Sequence, residues 1–245
     1  MAGTVTFTLL GPVEAHDEDG PLPVGGPRSR TVLAALLLAA NSMVTVERLV
    51  DLVWDVRPPR TAHRQVQNRV SMLRLAGVPI ETCPSGYRIR ADRASLDVVA
   101  FEQAARDTHR QLGHGRHEAA ATSARWALAL WRGPALAGTD LPHHAALLEE
   151  LRLDVLTARL DADLALGRHG DVVVELAALT REHPLRERFL GQLMTALVRS
   201  GRRGEALAAY DSAQLRLRAQ FGVGPSPELR RLRANLLIDT LASAR

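Results

Sequence analysis

The sequence predicts a mainly α protein with a small β component. Strand-like segments, rich in β-branched and aromatic residues, occur within residues 1–96, whereas residues 97–245 carry apolar residues at helical spacing almost throughout. A glycine-centred motif also recurs 34 residues apart in the second half, as in stacked helical hairpins. We therefore expect a first domain of short strands and helices over residues 1–96, followed by an α-helical domain over residues 97–245.

The composition is that of a soluble globular protein, with 46% hydrophobic and 24% charged residues. The net charge of +4 is too small to argue for a nucleic-acid partner by itself. All 31 basic residues are arginines, which excludes a phosphate-binding loop of the type that needs a lysine. The single cysteine, Cys83, excludes an internal disulfide and fits a reducing cytoplasm.

No membrane or export segment is predicted. The first residues, MAGTVTFTLLG, lack a basic segment followed by a long apolar stretch, so we expect no signal peptide. The longest apolar run, residues 32–40, is far shorter than the roughly 20 residues that span a bilayer. These observations predict a cytoplasmic protein.

The first domain is predicted to begin with strands and to continue with helices. Val5–Leu10 has the composition of a strand that ends at Gly11-Pro12, and Asp19-Gly20 is a hairpin signal. A first helix is expected from Arg28 to Ala40. Its buried face is predicted to consist of Leu33, Leu36, Leu37 and Ala40. A second helix is expected to follow the N-cap residue Thr45 and to stop at Pro58-Pro59.

A third helix, which Thr61 can cap, is the most informative feature of the chain. Residues 57–80 hold five arginines and no acidic residue. The apolar stripe of this helix consists of Ala62, Val66, Val70 and Leu73. The opposite face carries His63, Arg64, Gln67, Asn68, Ser71 and Arg74. Because Arg reads guanine and Asn or Gln reads adenine through paired hydrogen bonds, this face suits a DNA groove.

A basic β-hairpin is predicted directly after this helix. Its strands are Ile80–Cys83 and Tyr87–Arg90, and the second strand carries Arg88 and Arg90. The order of strands, three helices and basic hairpin is that of a winged helix-turn-helix, whose third helix enters the major groove of DNA. Charged side chains on an edge strand also prevent aggregation, so the two arginines have a structural alternative. Their place beside the basic helix favours DNA contact.

The second domain is predicted to consist of tetratricopeptide-like helical repeats. Gly167–Asp171 (GRHGD) recurs as Gly201–Glu205 (GRRGE), and Gly115–Glu118 is a looser third copy. The second helix of such a repeat has a pattern of small and aromatic residues on its buried side. Ala206, Tyr210 and Ala213 fit this pattern, and Val172, Leu176 and Leu179 are an aliphatic version of it. Stacked helical hairpins form concave surfaces that bind protein partners, and they imply no chemistry.

No catalytic or metal-binding constellation is recognisable in the sequence. His114 and His117 lie three residues apart, but Gly113 and Gly115 interrupt any helix there, so we expect no metal site. Cys83 is expected to be a half-buried hairpin residue rather than a nucleophile. We therefore predict a protein that is not an enzyme and that requires no cofactor.

These residues together resemble the Streptomyces antibiotic regulatory protein family. The first domain is similar to that family's OmpR-type winged helix in the segments FTLLGPVEA, PLPVGGPRSRTVLAALLLAANSMVTVERLVDLVWDVRPPRTA, QNRVSMLR and SGYRI. The second is similar to its bacterial transcriptional activation domain, most specifically from Glu182 to Leu232. We expect no receiver domain before the winged helix and no nucleotide-binding module after the repeats, as in a small member of the family.

The resemblance implies a pathway-specific activator of a secondary-metabolite, or antibiotic, gene cluster. Such a protein is expected to bind direct repeats in double-stranded promoter DNA near the −35 element and to contact the RNA polymerase holoenzyme, including its sigma factor. It is also expected to form a homodimer and to associate with the nucleoid. An interaction adaptor with weak DNA binding, or a metabolite-sensing regulator with a ligand pocket in its repeats, remains an alternative.

Carried over by position, the resemblance implies two groups of DNA-binding residues. The expected base-reading residues are Arg64, Gln67, Asn68 and Ser71, beside His63 on the same helix. The residues expected to hold phosphates are Arg28, Arg30, Arg60, Thr61, Arg74, Arg88 and Arg90. The sequence departs from the family pattern at Met72, where a basic residue is common, and at Leu75-Ala76-Gly77, which shortens the usual basic end of the helix.

Overall fold

The computed structural model describes residues 5–54 and 57–243, and it confirms a mainly α fold with two small antiparallel sheets. Residues 1–4, part of the segment considered for a signal peptide, lie outside the described residues. The chain forms two compact units: Met1–Arg106 with Arg125–Val155, and Asp107–Ala124 with Leu156–Arg245. The boundary between residues 96 and 97 remains a prediction about sequence domains.

The elements follow one another in chain order with short connections. The strands are β1 (Thr6–Thr8), β2 (Glu14–Asp17), β3 (Gly20–Pro21), β4 (Val44–Thr45), β5 (Ile80–Cys83) and β6 (Gly86–Ile89). The first helices are α1 (Pro27–Leu38), α2 (Val46–Trp54) and α3 (Ala62–Leu75). The later helices are α4 (Asp97–Gly113), α5 (His117–Ala129), α6 (Pro142–Ala165), α7 (His169–Glu182), α8 (Glu187–Arg199), α9 (Arg203–Phe221) and α10 (Pro227–Ser243). Among the described residues no helix is long and apolar enough to cross a membrane.

The N-terminal sheet has the antiparallel order β1-β2-β3, and the predicted hairpin at Asp19-Gly20 is confirmed. The carboxylate of Asp17 accepts hydrogen bonds from the backbone N–H groups of Asp19 and Gly20, at 2.9 and 3.1 Å. The sheet is joined to the start of α4 through Asp97, whose carboxylate accepts hydrogen bonds from the N–H groups of Leu9 and Leu10. Burial raises the pKa of the Asp97 carboxyl, and these hydrogen bonds oppose that shift.

Helix α1 is surrounded by other elements of its unit. The sequence predicted one apolar face, but all residues from 31 to 37 are buried, while Ala40 lies beyond the helix and is half-buried. The helix and the burial of Leu33, Leu36 and Leu37 agree with the prediction, and only Ala40 does not. Burial extends beyond one face because α2, α3 and β6 all pack against α1. An apolar residue at nearly every position is the expected sequence for such a buried helix.

The two predicted N-caps have different outcomes. Thr45 caps α2 as predicted, since its Oγ1 accepts a hydrogen bond from the N–H of Arg48 at 3.2 Å. Thr61 precedes α3, but its side chain caps nothing. Its φ and ψ of −93° and 8° are not the extended conformation that aims a hydroxyl at the first turn. Instead, Thr61 Oγ1 accepts a hydrogen bond from Nε2 of Gln65 at 3.1 Å.

The predicted hairpin of β5 and β6, here called the wing, belongs to a sheet of order β4-β6-β5. The wing strands pair from Ile80 with Ile89 to Cys83 with Gly86. Strand β4 was not predicted, and it aligns Thr45 with Gly86. A Cβ atom on Gly86 would lie 2.0 Å from the carbonyl oxygen of Val44, so only glycine fits at this crossing.

Replacing Gly86 by alanine is therefore expected to separate β4 from the wing. The new methyl group would also lie 2.7 Å from the Cα of Thr45, so the clash involves only backbone atoms that cannot rotate away. We expect the free energy of unfolding to fall by about 1–3 kcal/mol, as in other overpacked sites. Urea denaturation measures this change. Ser85→Ala, at an exposed position in the same turn, is the control, and equal losses in both variants would contradict the close approach.

The second unit contains the predicted repeats. The glycines of the three related motifs, Gly115, Gly167 and Gly201, all adopt left-handed backbone conformations, with φ of 67°, 79° and 76°. The N–H of the following arginine donates in each case to the carbonyl oxygen five residues earlier, at 2.8–3.0 Å. This is the hydrogen bond by which a glycine ends one helix and turns the chain into the next. The third, looser copy is therefore structurally equivalent to the other two.

The buried pattern of the repeat helices also agrees with the prediction. The two predicted sets, Ala206, Tyr210 and Ala213 in α9 and Val172, Leu176 and Leu179 in α7, are all buried. Helix α8 packs against both α7 and α9, and α10 packs against α8 and α9. Ser226 directly precedes helix α10, and its Oγ accepts a hydrogen bond from the N–H of Leu229 at 3.4 Å. Pro227 occupies the first helical position.

Candidate nucleic-acid interface

Helix α3 buries one side and exposes the other. Its predicted apolar stripe, Ala62, Val66, Val70 and Leu73, is at most 2% exposed. At 100° per residue, Arg64, Asn68 and Ser71 lie on the side directly opposite to this stripe, and all three are exposed. We call these three residues the outward row. Gln67 is also exposed and lies beside the row.

The polar side chains on and beside the outward row are available for a ligand. The side chains of Arg64, Gln67 and Asn68 make no hydrogen bond or ion pair with any described residue. Ser71 differs, because its hydroxyl donates to the carbonyl oxygen of Gln67 at 3.0 Å and keeps only its acceptor capacity. His63 is exposed near the start of the helix, and its Nε2 lies 3.9 Å from a carboxylate oxygen of Glu47.

Arg74 connects α3 to the wing. Its Nε donates to the carbonyl oxygen of Ile80 at 2.8 Å, and its Nη2 donates to Thr82 Oγ1 at 2.8 Å. Its guanidinium also lies over the ring of Tyr87, 5.6 Å from the ring centre. The side chain that the sequence analysis assigned to a phosphate thus has an internal role, because it fixes the wing relative to α3.

The wing arginines share one carboxylate. Arg88 lies opposite Glu81 in the hairpin register and donates to it from Nη2 at 2.7 Å and from Nε at 3.1 Å. Arg90 forms a second ion pair with Glu81, at 2.6 Å. The hydrogen bond from Arg88 lowers the pKa of Glu81 further below neutral, so the carboxylate is charged. The three side chains together therefore carry one net positive charge.

Arg28 of α1 and Arg69 of α3 both lie over the ring of Trp54. The guanidinium carbons of Arg28 and Arg69 lie 5.6 and 5.7 Å from the centre of the Trp54 ring. Partial burial, together with the positive charge of Arg28, lowers the pKa of Arg69. Two like charges held this close form a candidate phosphate site. Sequence reasoning missed Arg69, because its position on α3 falls between the buried stripe and the exposed face.

The remaining predicted residues lie in different surroundings. Arg60 is exposed immediately before α3, and it has no ion-pair partner among the described residues. Thr61 is exposed beside it. Nη1 of Arg30 lies 3.1 Å from the position that a Cβ on Gly138 would take. Arg30 thus packs against the connection between α5 and α6.

The histidine, cysteine and acidic residues of the described chain bear on metal binding. No group of three or more His, Cys, Asp or Glu residues among the described parts of the chain could hold a metal ion. Cys83 is half-buried in the wing, as predicted. The first unit therefore presents the exposed polar face of α3, the arginines of the wing, and the pair of Arg28 and Arg69 over the ring of Trp54. A winged helix followed by helical repeats, with this surface, defines a DNA-binding regulator.

Comparisons with known proteins identify the family. The family model for the Bacterial transcriptional activator domain matches residues 96–237 of this chain. Regulatory protein DnrI of Streptomyces peucetius is 36% identical over 94% of this chain and 91% of its own length. Regulatory protein AfsR of Streptomyces griseus is 39% identical over 96% of this chain, which spans only 25% of AfsR. The chain therefore belongs to the Streptomyces antibiotic regulatory protein family, whose members are transcription regulators and not enzymes, as predicted.

A solved structure gives the same assignment. Mycobacterium tuberculosis EmbR, in complex with a low-affinity phosphopeptide, superposes with a TM-score of 0.89 at 34% sequence identity. The match covers 97% of this chain and 66% of EmbR. The predicted fold class, a winged helix-turn-helix followed by a tetratricopeptide-like helical domain, is thereby confirmed.

Proposed function

We propose that this chain is a sequence-specific DNA-binding transcription activator. The observation that carries the proposal is the outward row of α3 with the neighbouring Gln67. Arg64, Gln67 and Asn68 are exposed, have no side-chain partner among the described residues, and are the side-chain types that read guanine and adenine in the major groove. A helix face that contacts only solvent does not need so many base-reading side chains. It also has no reason to lack acidic residues, as α3 does.

In this proposal α3 enters the major groove in the manner of an OmpR-type winged helix. Arg90 on the wing would lie on the neighbouring phosphates, while Arg74 and Arg88 would mainly hold the wing in its orientation. Arg60 and the pair formed by Arg28 and Arg69 would neutralise further phosphates. The sequence-independent part of the affinity would come from these arginines, and the base preference from the outward row.

The proposed target is promoter DNA of a secondary-metabolite gene cluster. We infer that two copies of the chain bind direct repeats near the −35 element and that the helical repeats contact the RNA polymerase holoenzyme through its sigma factor. The protein would then act at the nucleoid. Support comes from membership of an activator family and from the likeness to DnrI over nearly its whole length.

Substitution of the outward row tests the base contacts. We expect Arg64→Ala and Asn68→Ala each to weaken specific promoter binding by about 1–3 kcal/mol, the usual cost of losing one bidentate base contact. Both side chains are exposed and unpaired within the described chain, so the free energy of unfolding should not change. Fluorescence anisotropy with a promoter duplex and an unrelated duplex gives the specific and non-specific affinities separately.

Arg106→Ala is the matched control for these variants. Arg106 is 63% exposed on α4, and its ion pair with Glu102, at 3.8 Å, is weak. Its replacement removes one positive charge, as Arg64→Ala does, but at a position outside α3 and the wing. It should leave the ratio of specific to non-specific affinity unchanged. If Arg64→Ala and Asn68→Ala keep the full ratio while remaining folded, the base-contact assignment is wrong.

A further inference from the structure

A cleft in the second unit has the properties of a small-molecule site. It has a volume of about 520 Å³, within the usual range for ligand pockets, and lies between α6, α8 and the start of α10. Leu164, Leu229 and Leu232 form its apolar wall. The polar groups that line it come mainly from α8 and from the first turn of α10.

Gln192 lines this cleft and fixes one of its carboxylates. Its side chain is buried, with 4% of the residue exposed. Its Nε2 donates to the carbonyl oxygen of Thr157 at 2.9 Å and to the carboxylate of Asp161 at 2.7 Å. Because both partners are acceptors, the amide cannot be reversed, and Oε1 remains without a partner among the described residues. The Gln192 amide thereby holds the Asp161 carboxylate at the edge of the cleft.

Gly191 keeps the cleft open. Glycine in the middle of a helix is less stable than alanine, and α8 has it one turn after its start. Close packing does not explain this choice, because a Cβ on Gly191 would meet only Cδ2 of Leu229, at an ordinary contact distance of 3.6 Å. The missing side chain therefore adds space to the cleft at the expense of helix stability.

The charges around the cleft favour a cation. Three carboxylates line it, those of Asp161, Glu187 and Glu228, against the single guanidinium of Arg188. Arg188 pairs with Asp161 at 2.9 Å, and Glu187 accepts hydrogen bonds from the N–H of Ser226 at 3.0 Å. Glu228 has no ion-pair partner among the residues that the structure describes.

We propose that this cleft binds a small amphipathic molecule that carries a protonated amine. The amine faces the carboxylates, of which that of Glu228 is exposed, and an apolar ring or chain lies on the three leucines. The site lies entirely within the second unit, so it is independent of the DNA-contact proposal. Failure of one proposal leaves the other unaffected.

Three probes with one ring system test the proposal on the full chain: tryptamine, its neutral analogue tryptophol, and the anion indole-3-propionate. Isothermal titration calorimetry should show saturable tryptamine binding in about the millimolar range or tighter, as expected for a ligand of this size. Tryptophol should bind several-fold more weakly, and indole-3-propionate should not bind measurably. No saturable binding of tryptamine, or equal binding of the anion, would overturn the proposal.

Two variants assign the binding to the cleft. Gly191→Leu fills the cleft and improves helix propensity, so it should abolish tryptamine binding while the unfolding temperature stays equal or rises. Glu228→Gln removes an exposed charge and should weaken tryptamine several-fold without changing tryptophol affinity. Undiminished tryptamine binding to folded Gly191→Leu would show that the ligand binds elsewhere and that the proposal is wrong.

Discussion

Asp163→Asn is expected to lower the free energy of unfolding of the second unit by about 3–5 kcal/mol, the usual cost of removing one partner from a buried ion pair. Asp163 is 2% exposed and accepts hydrogen bonds from Nη1 of Arg159 at 3.1 Å and of Arg168 at 2.9 Å. Arg159 also donates to Glu175, and Arg168 to Glu118, so the network joins α5, α6 and α7. Asparagine has the same shape, but it would turn an amide N–H group towards a guanidinium.

Burial is the reason for this large effect, and an exposed pair is the matched control. Arg202 and Glu205 form two hydrogen bonds of 2.8 Å, but their side chains are 46% and 60% exposed. Glu205→Ala should therefore change the free energy of unfolding far less than Asp163→Asn does, because water screens the exposed pair. Urea denaturation, followed by far-ultraviolet circular dichroism, measures both variants. This signal reports the helices, which dominate the fold. Similar midpoints for the two variants would show that the buried network contributes no more than a surface pair.

Phe101→Ala is expected to destabilise the first unit by about 3–5 kcal/mol, as for other fully buried aromatic residues. Phe101 is 0% exposed and meets the ring of Trp131 edge-to-face, with ring centres 5.3 Å apart. Its helix begins at Asp97, which holds the backbone N–H groups of Leu9 and Leu10. The cavity would therefore weaken the attachment of the N-terminal sheet as well as the local packing.

Trp126→Ala is the control for this substitution. Trp126 belongs to the same unit, but it is 53% exposed on α5, so its removal leaves no cavity. We expect its midpoint of thermal unfolding to stay within a few degrees of the wild type, whereas Phe101→Ala should lower the midpoint by roughly 10 °C. Equal stability of Phe101→Ala and the wild-type chain would contradict the view that Phe101 belongs to the core of the first unit.

The parts of the fold that the sequence predicts are those with a strong local pattern. Helix α3 is predictable because its apolar residues recur on one side only, and the wing because a turn sequence separates two short strand-like segments. The repeat turns are predictable because glycine is the residue that adopts a left-handed conformation at low cost, as Gly115, Gly167 and Gly201 do.

Contacts between distant parts of the chain were not predictable in this way. The hydrogen bonds from Leu9 and Leu10 to Asp97 join residues nearly 90 positions apart, and neither segment carries a local sign of the other. Strand β4 has two residues, which is too short for any periodicity. Arg69 becomes a candidate phosphate ligand only because Trp54 of α2 packs beneath it, and that packing is a property of the folded unit.

Binding to promoter DNA as a function of salt tests the central claim most directly. The full chain would be titrated onto its own upstream region and neighbouring promoters by electrophoretic shift, with unrelated competitor DNA present. The account predicts preferential retention of one fragment, with an affinity that falls steeply with salt. The four arginines proposed to contact phosphates would give a logarithmic slope of roughly −4 for each bound copy. Retention that is indifferent to sequence and insensitive to salt would contradict the account and would favour an adaptor that acts through its helical repeats.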